Sequence, residues 1–188
     1  MKVICGLGNP GPEYEWTRHN VGWWVVEGAQ RAWDLPPLRR EGAVRASAGQ
    51  VGGEEVHLIE PLTYMNRSGR VLAPLREHPD FDIARDLLIV VDDTALDVGR
   101  VRFRGAGSSG GHNGLKSVEA VLRTQEYARL RIGVGTPPPD VELAAWVLSE
   151  FESEETEQQV RTLAAELAPA LRVWIEEGVA NAASRFNR

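Results

Sequence analysis

Lys2-Val3-Ile4-Cys5-Gly6-Leu7-Gly8-Asn9-Pro10-Gly11-Pro12 opens the chain, and its reading decides the fold. A short apolar run predicts a buried strand over residues 2–7, and a glycine-rich turn follows it. The spacing of Gly6, Gly8 and Gly11 satisfies the G-x-G-x-x-G pattern of dinucleotide-binding folds. That fingerprint requires the turn to open a helix whose free N–H groups hold a pyrophosphate. Pro10 removes one of those N–H groups, and Pro12 pushes Gly11 away from helical geometry. No acid closes a second strand about twenty residues on, as a ribose-binding carboxylate would. The helix is expected only from His19 to Trp33, with Asn20 as its cap. Strand, rigid Gly/Asn/Pro loop, and a histidine at the mouth of a helix suit a functional site better than a core.

Working outward, residues 43–51 and 55–60 are expected as two strands joined through Gly52-Gly53, a favoured hairpin turn. Residues 61–64 form a loop before a helix at about 66–76, in which Pro74 disturbs the end. Leu87-Leu88-Ile89-Val90-Val91 marks a central strand over 86–91 that stops at Asp92-Asp93. Residues 99–104 alternate Val101 and Phe103 with arginines and predict a half-exposed strand. Residues 105–114 form a glycine-rich loop, 115–123 a helix and 127–134 a further strand. After Pro137-Pro138-Pro139 two C-terminal helices are expected, over about 141–149 and 153–182. Strands alternating with helices predict an α/β layered fold, one domain over residues 1–188, with a mixed sheet flanked by helices. Its 188 residues suffice for one substantial core.

Composition excludes several classes. The single cysteine, Cys5, permits no intrachain disulfide. The N-terminus lacks the apolar run of a signal peptide, and no stretch has the ~18 apolar residues of a membrane span. A cytoplasmic protein is expected. The formal net charge is −6, which argues against nucleic acid at face value. The distribution says more than the sum. Residues 100–131 hold seven basic residues against Glu119 and Glu126, whereas residues 140–157 hold seven acids and no base. Such polarity steers an anionic ligand to one side, or it is simply solvated charge on exposed elements.

Ligands in such sheets gather beyond the carboxyl ends of strands. Four polar islands fall there: Asn9, Tyr64-Met65-Asn66, Asp92, and His112-Asn113. His19 heads the helix after Asn9. Taken singly, Asn9 and Asn113 read as turn residues, Asn66 as a helix cap and Asp92-Asp93 as a turn. Their joint placement supplies amide groups, one base and one orienting acid. Gly107-Ser108-Ser109-Gly110-Gly111 matches the nucleophile elbow of serine hydrolases, but that layout needs an acid and then a histidine downstream. Only His112 follows Ser109. Metal catalysis lacks its pattern too, because His19, His57, His78 and His112 are scattered without ligand spacing. Metal-free hydrolysis with histidine-activated water remains.

Four stretches together resemble bacterial peptidyl-tRNA hydrolases. They are Gly6-Leu7-Gly8-Asn9-Pro10-Gly11 with Tyr14 and Thr17-Arg18-His19-Asn20-Val21-Gly22; Pro61-Leu62-Thr63-Tyr64-Met65-Asn66-Arg67-Ser68-Gly69; Gly110-Gly111-His112-Asn113-Gly114-Leu115-Lys116-Ser117; and Arg129-Leu130-Arg131-Ile132-Gly133-Val134-Gly135. The resemblance implies an enzyme that cleaves the ester between peptide and tRNA, needs no cofactor or metal, and works as a monomer on a tRNA partner. It implies His19 as general base, Asp92 as the acid that holds it, and Asn9 as the reader of a blocked amino group. Tyr14, Tyr64, Asn66 and Asn113 would bind substrate, and Arg104, Lys116 and Arg131 would meet tRNA phosphates. The chain departs from the family pattern at Ala95, where an aspartate is common, and at Arg104, where a lysine is frequent. Two other readings stay open: a non-catalytic RNA-binding relative, and an esterase of small acyl esters.

Overall fold

The computed structural model describes all 188 residues and places one seven-stranded sheet at their centre. Its strands are β1 (Lys2–Gly6), β2 (Arg39–Glu41), β3 (Val44–Val51), β4 (Glu54–Pro61), β5 (Leu87–Asp93), β6 (Val101–Arg104) and β7 (Ala128–Gly133). Their order is β2-β3-β4-β1-β5-β7-β6. The four middle strands run parallel, and β2, β3 and β6 run antiparallel to their neighbours. The expected mixed sheet is therefore present. The β3–β4 hairpin turns on Gly52 and Gly53 with φ of 60° and 82°, the positive pair that a tight hairpin demands.

Period-two alternation divides the core. On β5, Leu88 and Val90 join the larger apolar cluster beneath helices α1 (Val21–Ala32), α5 (Glu154–Glu166) and α6 (Ala168–Glu177). Leu87, Ile89 and Val91 face the smaller cluster, covered by the helical segment Met65–Arg76 and by α3 (Asn113–Leu122). The same alternation sends Asp92 and Asp93 to opposite faces at the strand end.

Several elements differ from expectation, each for a local reason. The helix after the first loop begins as a 3₁₀ turn, Arg18–Asn20, before α1. Met65–Arg76 is 3₁₀ rather than α-helical, with Pro74 inside it. Its Gly69 lies so close to α3 that a Cβ would come within 2.2 Å of the Ser117 carbonyl oxygen. The two C-terminal helices are four: α4 (Leu143–Val147), α5, α6 and α7 (Val179–Phe186). Pro169, in the first turn of α6, has no N–H with which to continue α5, and Gly178 at φ 85° ends α6. Strand β2 and the short helix α2 (Ile83–Asp86) were not expected; Asp82 caps the latter by accepting from Ala84 and Arg85 N–H. No helix is long and apolar enough to cross a membrane.

Candidate active site

Gly6 and Gly22 bring α1 onto the sheet without side chains between them. A Cβ on Gly22 would meet the carbonyl oxygens of Leu7 and Val90 at 2.6 Å. That close approach holds the turn bearing His19 against the end of β5, where Asp92 emerges. His19 Nδ1 lies 2.8 Å from Asp92 Oδ1, with His19 and Asp92 only 7% and 3% exposed.

A second histidine completes the group. His112 caps α3 by accepting the Gly114 and Leu115 N–H groups on Nδ1, at 3.1 and 3.3 Å. Its Nε2 must then carry the proton, and it donates to Asp92 Oδ1 at 2.9 Å. Asp92 Oδ1 thus receives both rings, while the buried Oδ2 has no partner. Burial pushes the Asp92 pKa upward, but the facing histidines outweigh it and hold the carboxyl well below the usual carboxylate range. As an ionised acceptor, Asp92 fixes His19 with its proton on Nδ1 and its Nε2 lone pair free.

His19, Asp92 and His112 could in principle ligate a metal, since one donor atom from each lies within 4.8 Å of the others. The bonds on His112 Nδ1 oppose this, because they leave Nε2 protonated and without a lone pair for an ion. The same bonds dispose of the serine-elbow reading, as neither His112 nitrogen is free to serve Ser109.

The asparagines are placed by hydrogen bonds that their spacing did not reveal. Asn20, expected as a helix cap, makes no capping bond. Its Oδ1 accepts the Asn9 N–H at 2.9 Å and its Nδ2 donates to the Asn9 carbonyl at 3.0 Å. Asn9 Oδ1 accepts the Met65 N–H at 2.7 Å. This orients the Asn9 amide and leaves Nδ2 as a donor without a protein partner. Asn66 does not cap its helix either; Tyr64 occupies that position and Asn66 is exposed.

Two cavities meet at His19. The smaller, about 250 Å³, brings together Asn9, Tyr14, Tyr64, Asn66 and Asn113. The larger, about 330 Å³, contains Asp92, His112 and Arg131 with the glycine loop at Ser109, Gly110 and Gly111. His19, Asn113, Ala144 and Val147 line both. Arg131 Nε pairs with Asp93 Oδ2 at 3.0 Å, and both side chains line the larger cavity with His19. Arg104 and Lys116 are exposed outside both cavities. Arg129 leaves the expected basic surface. It is 3% exposed, donates to the Ser108 and Gln125 carbonyls and stacks on Tyr127, so it anchors the glycine loop. In the sequence, His112 stands out only as part of a polar island. Its place at the start of an apolar helix, after two glycines, is the signal that marks it as more.

The family model of peptidyl-tRNA hydrolase matches residues 3–188. Curated relatives named peptidyl-tRNA hydrolase include that of Gemmatimonas aurantiaca, 44% identical, and that of Bacillus cytotoxicus, 40% identical, each covering all of both chains. Among solved structures, the peptidyl-tRNA hydrolase of Acinetobacter baumannii superposes with a TM-score of 0.89 at 28% identity, over 100% of this chain and 96% of that one. With the family model covering residues 3–188 and curated relatives matched over their full length, the chain belongs to the peptidyl-tRNA hydrolase family.

Proposed function

We propose that this protein hydrolyses the ester joining a peptide, or an N-blocked amino acid, to the ribose of tRNA, releasing free tRNA. The observation that carries the reading is the His19–Asp92 pair, with His19 Nε2 unpartnered where the two cavities meet. Water held at Nε2 loses a proton to His19 as its oxygen bonds to the ester carbonyl carbon. Side-chain amides of Asn113 and Asn66 donate to the oxyanion. The tetrahedral intermediate expels the ribose oxygen, which takes the proton back from Nε2. Asp92 stays ionised throughout and offsets the charge on the imidazolium.

The cavities divide the substrate. Asn9, Tyr14, Tyr64 and Asn66 receive the acyl portion, and the side with Arg131 receives the tRNA end. Arg104 and Lys116 meet phosphates farther out. Asn9 explains selectivity in physical terms. Its Oδ1 is occupied by Met65, so only a donor faces the substrate. A blocked amino group offers a carbonyl to that donor, whereas a free ammonium offers none.

The reaction uses no metal. The protein works as a monomer in the cytoplasm: the large exposed apolar side chains, Tyr64, Leu143 and Leu148, surround the cavities and leave no second patch for a subunit interface. Its one cysteine, buried and free, suits a reducing compartment. The test compares N-acetyl-aminoacyl-tRNA with an N-acetyl amino-acid methyl ester. Turnover of the tRNA substrate alone supports the reading. Equal turnover of the small ester indicates a general esterase, and binding without turnover indicates an RNA-binding relative.

A further inference from the structure

Both cavities share one wall, the strap of residues 143–148. Leu143, Ala144 and Val147 close the larger cavity, and Ala144, Val147 and Leu148 the smaller. The strap contains only a five-residue helix, α4, and its outer residues Leu143 and Leu148 are 49% and 43% exposed. A segment so short does not hold its own position.

Arg18 fastens it. This side chain is 1% exposed, and its guanidinium carbon lies 3.5 Å from the centroid of the Trp146 ring and 4.9 Å from that of Phe151. Nη1 donates to Ser149 Oγ at 2.7 Å, to the Ser149 carbonyl at 3.2 Å, to the Trp146 carbonyl at 3.5 Å and to the Glu150 carbonyl. Nη2 forms an ion pair with Glu152 Oε1 at 2.9 Å. The Arg18 N–H donates to the Ser149 carbonyl at 3.1 Å, and Thr17 forms a β-bridge with Glu150. The other side-chain tie is the Trp146 indole N–H, donated to Gly135 O at 2.9 Å.

Apolar packing would fill this space with less desolvation than a guanidinium. What the planar fork adds is a fixed geometry between two segments, which a lysine ammonium does not reproduce. One of those segments is the strap. The other is the 3₁₀ turn Arg18–Asn20, whose middle residue is His19.

We propose that Arg18 is a positioning residue that clasps the 143–148 strap to the turn bearing His19, and so sets how closely both cavities grip the substrate. This rests on the hydrolase reading above. His19 itself is held separately, by Asp92, so the clasp governs binding and not proton transfer.

The test is steady-state hydrolysis of N-acetyl-aminoacyl-tRNA by the wild type, Arg18→Lys, Trp146→Leu and the double variant. In Arg18→Lys, KM should rise at least about tenfold, with kcat within about threefold and its pH profile unmoved. Trp146→Leu removes the stacking partner and should give the same signature. The double variant should have a KM within about twofold of the weaker-binding single one, because both changes open one clasp. An unchanged KM overturns the proposal. So does a lower kcat at constant KM, the mark of fewer folded molecules. If Arg18→Lys does not fold, the KM of Trp146→Leu decides alone. A wild type that fails to cleave the substrate removes the hydrolase reading first, and this proposal with it.

Discussion

Asp92 and Asp93 are neighbours in sequence and strangers in space. Strand alternation turns the first toward His19 and His112 and the second toward Arg131. His19→Ala should lower kcat by about 10²–10⁴-fold, the range for a positioned base. Asp92→Asn should lose much of that factor, and the His19→Ala/Asp92→Asn pair little more, because the two residues act as a unit. Asp93→Asn should keep most of the turnover; single-turnover assays of the four variants check the set, and a crippled Asp93→Asn contradicts it. Because Asp92 is held below the ordinary carboxylate range, its folded pKa is depressed. Its contribution to stability is then complete above the unfolded value of about 4 and lost as pH falls through the lower folded one. Asn9 carries a separate expectation. Asn9→Asp replaces the unpartnered Nδ2 donor with an acceptor, so on the proposed function the ratio of N-acetyl-aminoacyl-tRNA to aminoacyl-tRNA cleavage should fall at least about tenfold. Competition between the two substrates measures it, and a constant ratio removes Asn9 from recognition.

Among the elements, helix α1 depends on a close approach that tolerates no side chain. With a Cβ on Gly22 at 2.6 Å from two carbonyl oxygens, Gly22→Ala must push α1 off the sheet. A destabilisation of about 1–3 kcal/mol is expected, with lower activity because the turn bearing His19 moves too. Denaturant melts of the variant and the wild type read it, and an unchanged midpoint would mean the helix has slack. What was legible in the sequence follows from how local each cause is. Apolar runs and alternation marked β1, the β3–β4 hairpin, β5, β6 and β7, because burial of a strand is written in its own residues. The breaks among α5, α6 and α7 were also local, at Pro169 and Gly178, yet the apolar pattern ran through them and hid them. Elsewhere the cause lay far along the chain. Asn20 looks like a cap until Asn9 is beside it, and Arg129 looks like surface charge until Ser108 and Gln125 accept from it. The His19–Asp92 relation spans 73 residues; strand-end placement hinted at a base with an orienting acid, and the resemblance gave the two their roles. Arg18 stood inside a quoted motif without a role of its own, since its partners, side chains and backbone carbonyls alike, lie more than 120 positions away.

For the molecule as a whole, the puzzle is an acidic protein with an RNA substrate. The net charge of −6 is unevenly placed. The antiparallel register sets Arg102 opposite Arg131 and Arg104 opposite Arg129, so all four side chains leave the β6–β7 edge on one face. Val101 and Phe103 are buried on the other. Arg129 is consumed inside, whereas Arg102 and Arg104 are exposed and Arg131 is partly so. Lys116 adds an exposed charge from α3. The first turn of α5 presents Glu154, Glu155 and Glu157 elsewhere on the surface, and like charge there turns phosphates away. Net charge is therefore a poor guide; the field at one edge decides. Binding of tRNA should weaken with salt, and removing one cation that meets a phosphate should lower the log–log slope by roughly 0.7–0.9. Arg104→Ala and Lys116→Ala should each take about one such step without loss of fold, and Arg131→Ala should take one together with a loss of stability, because it leaves the buried Asp93 carboxylate unpaired. Arg129→Ala should behave differently. It strands Glu119 and frees the glycine loop, so it should lower the melting temperature and act on turnover through the misplaced His112. Titrating tRNA into each variant from about 50 to 200 mM salt separates the two behaviours. Slopes unchanged in all three surface variants would put the tRNA on another face of the sheet. A lower slope for Arg129→Ala alone would mean that the buried guanidinium, and not the exposed row, meets the phosphate.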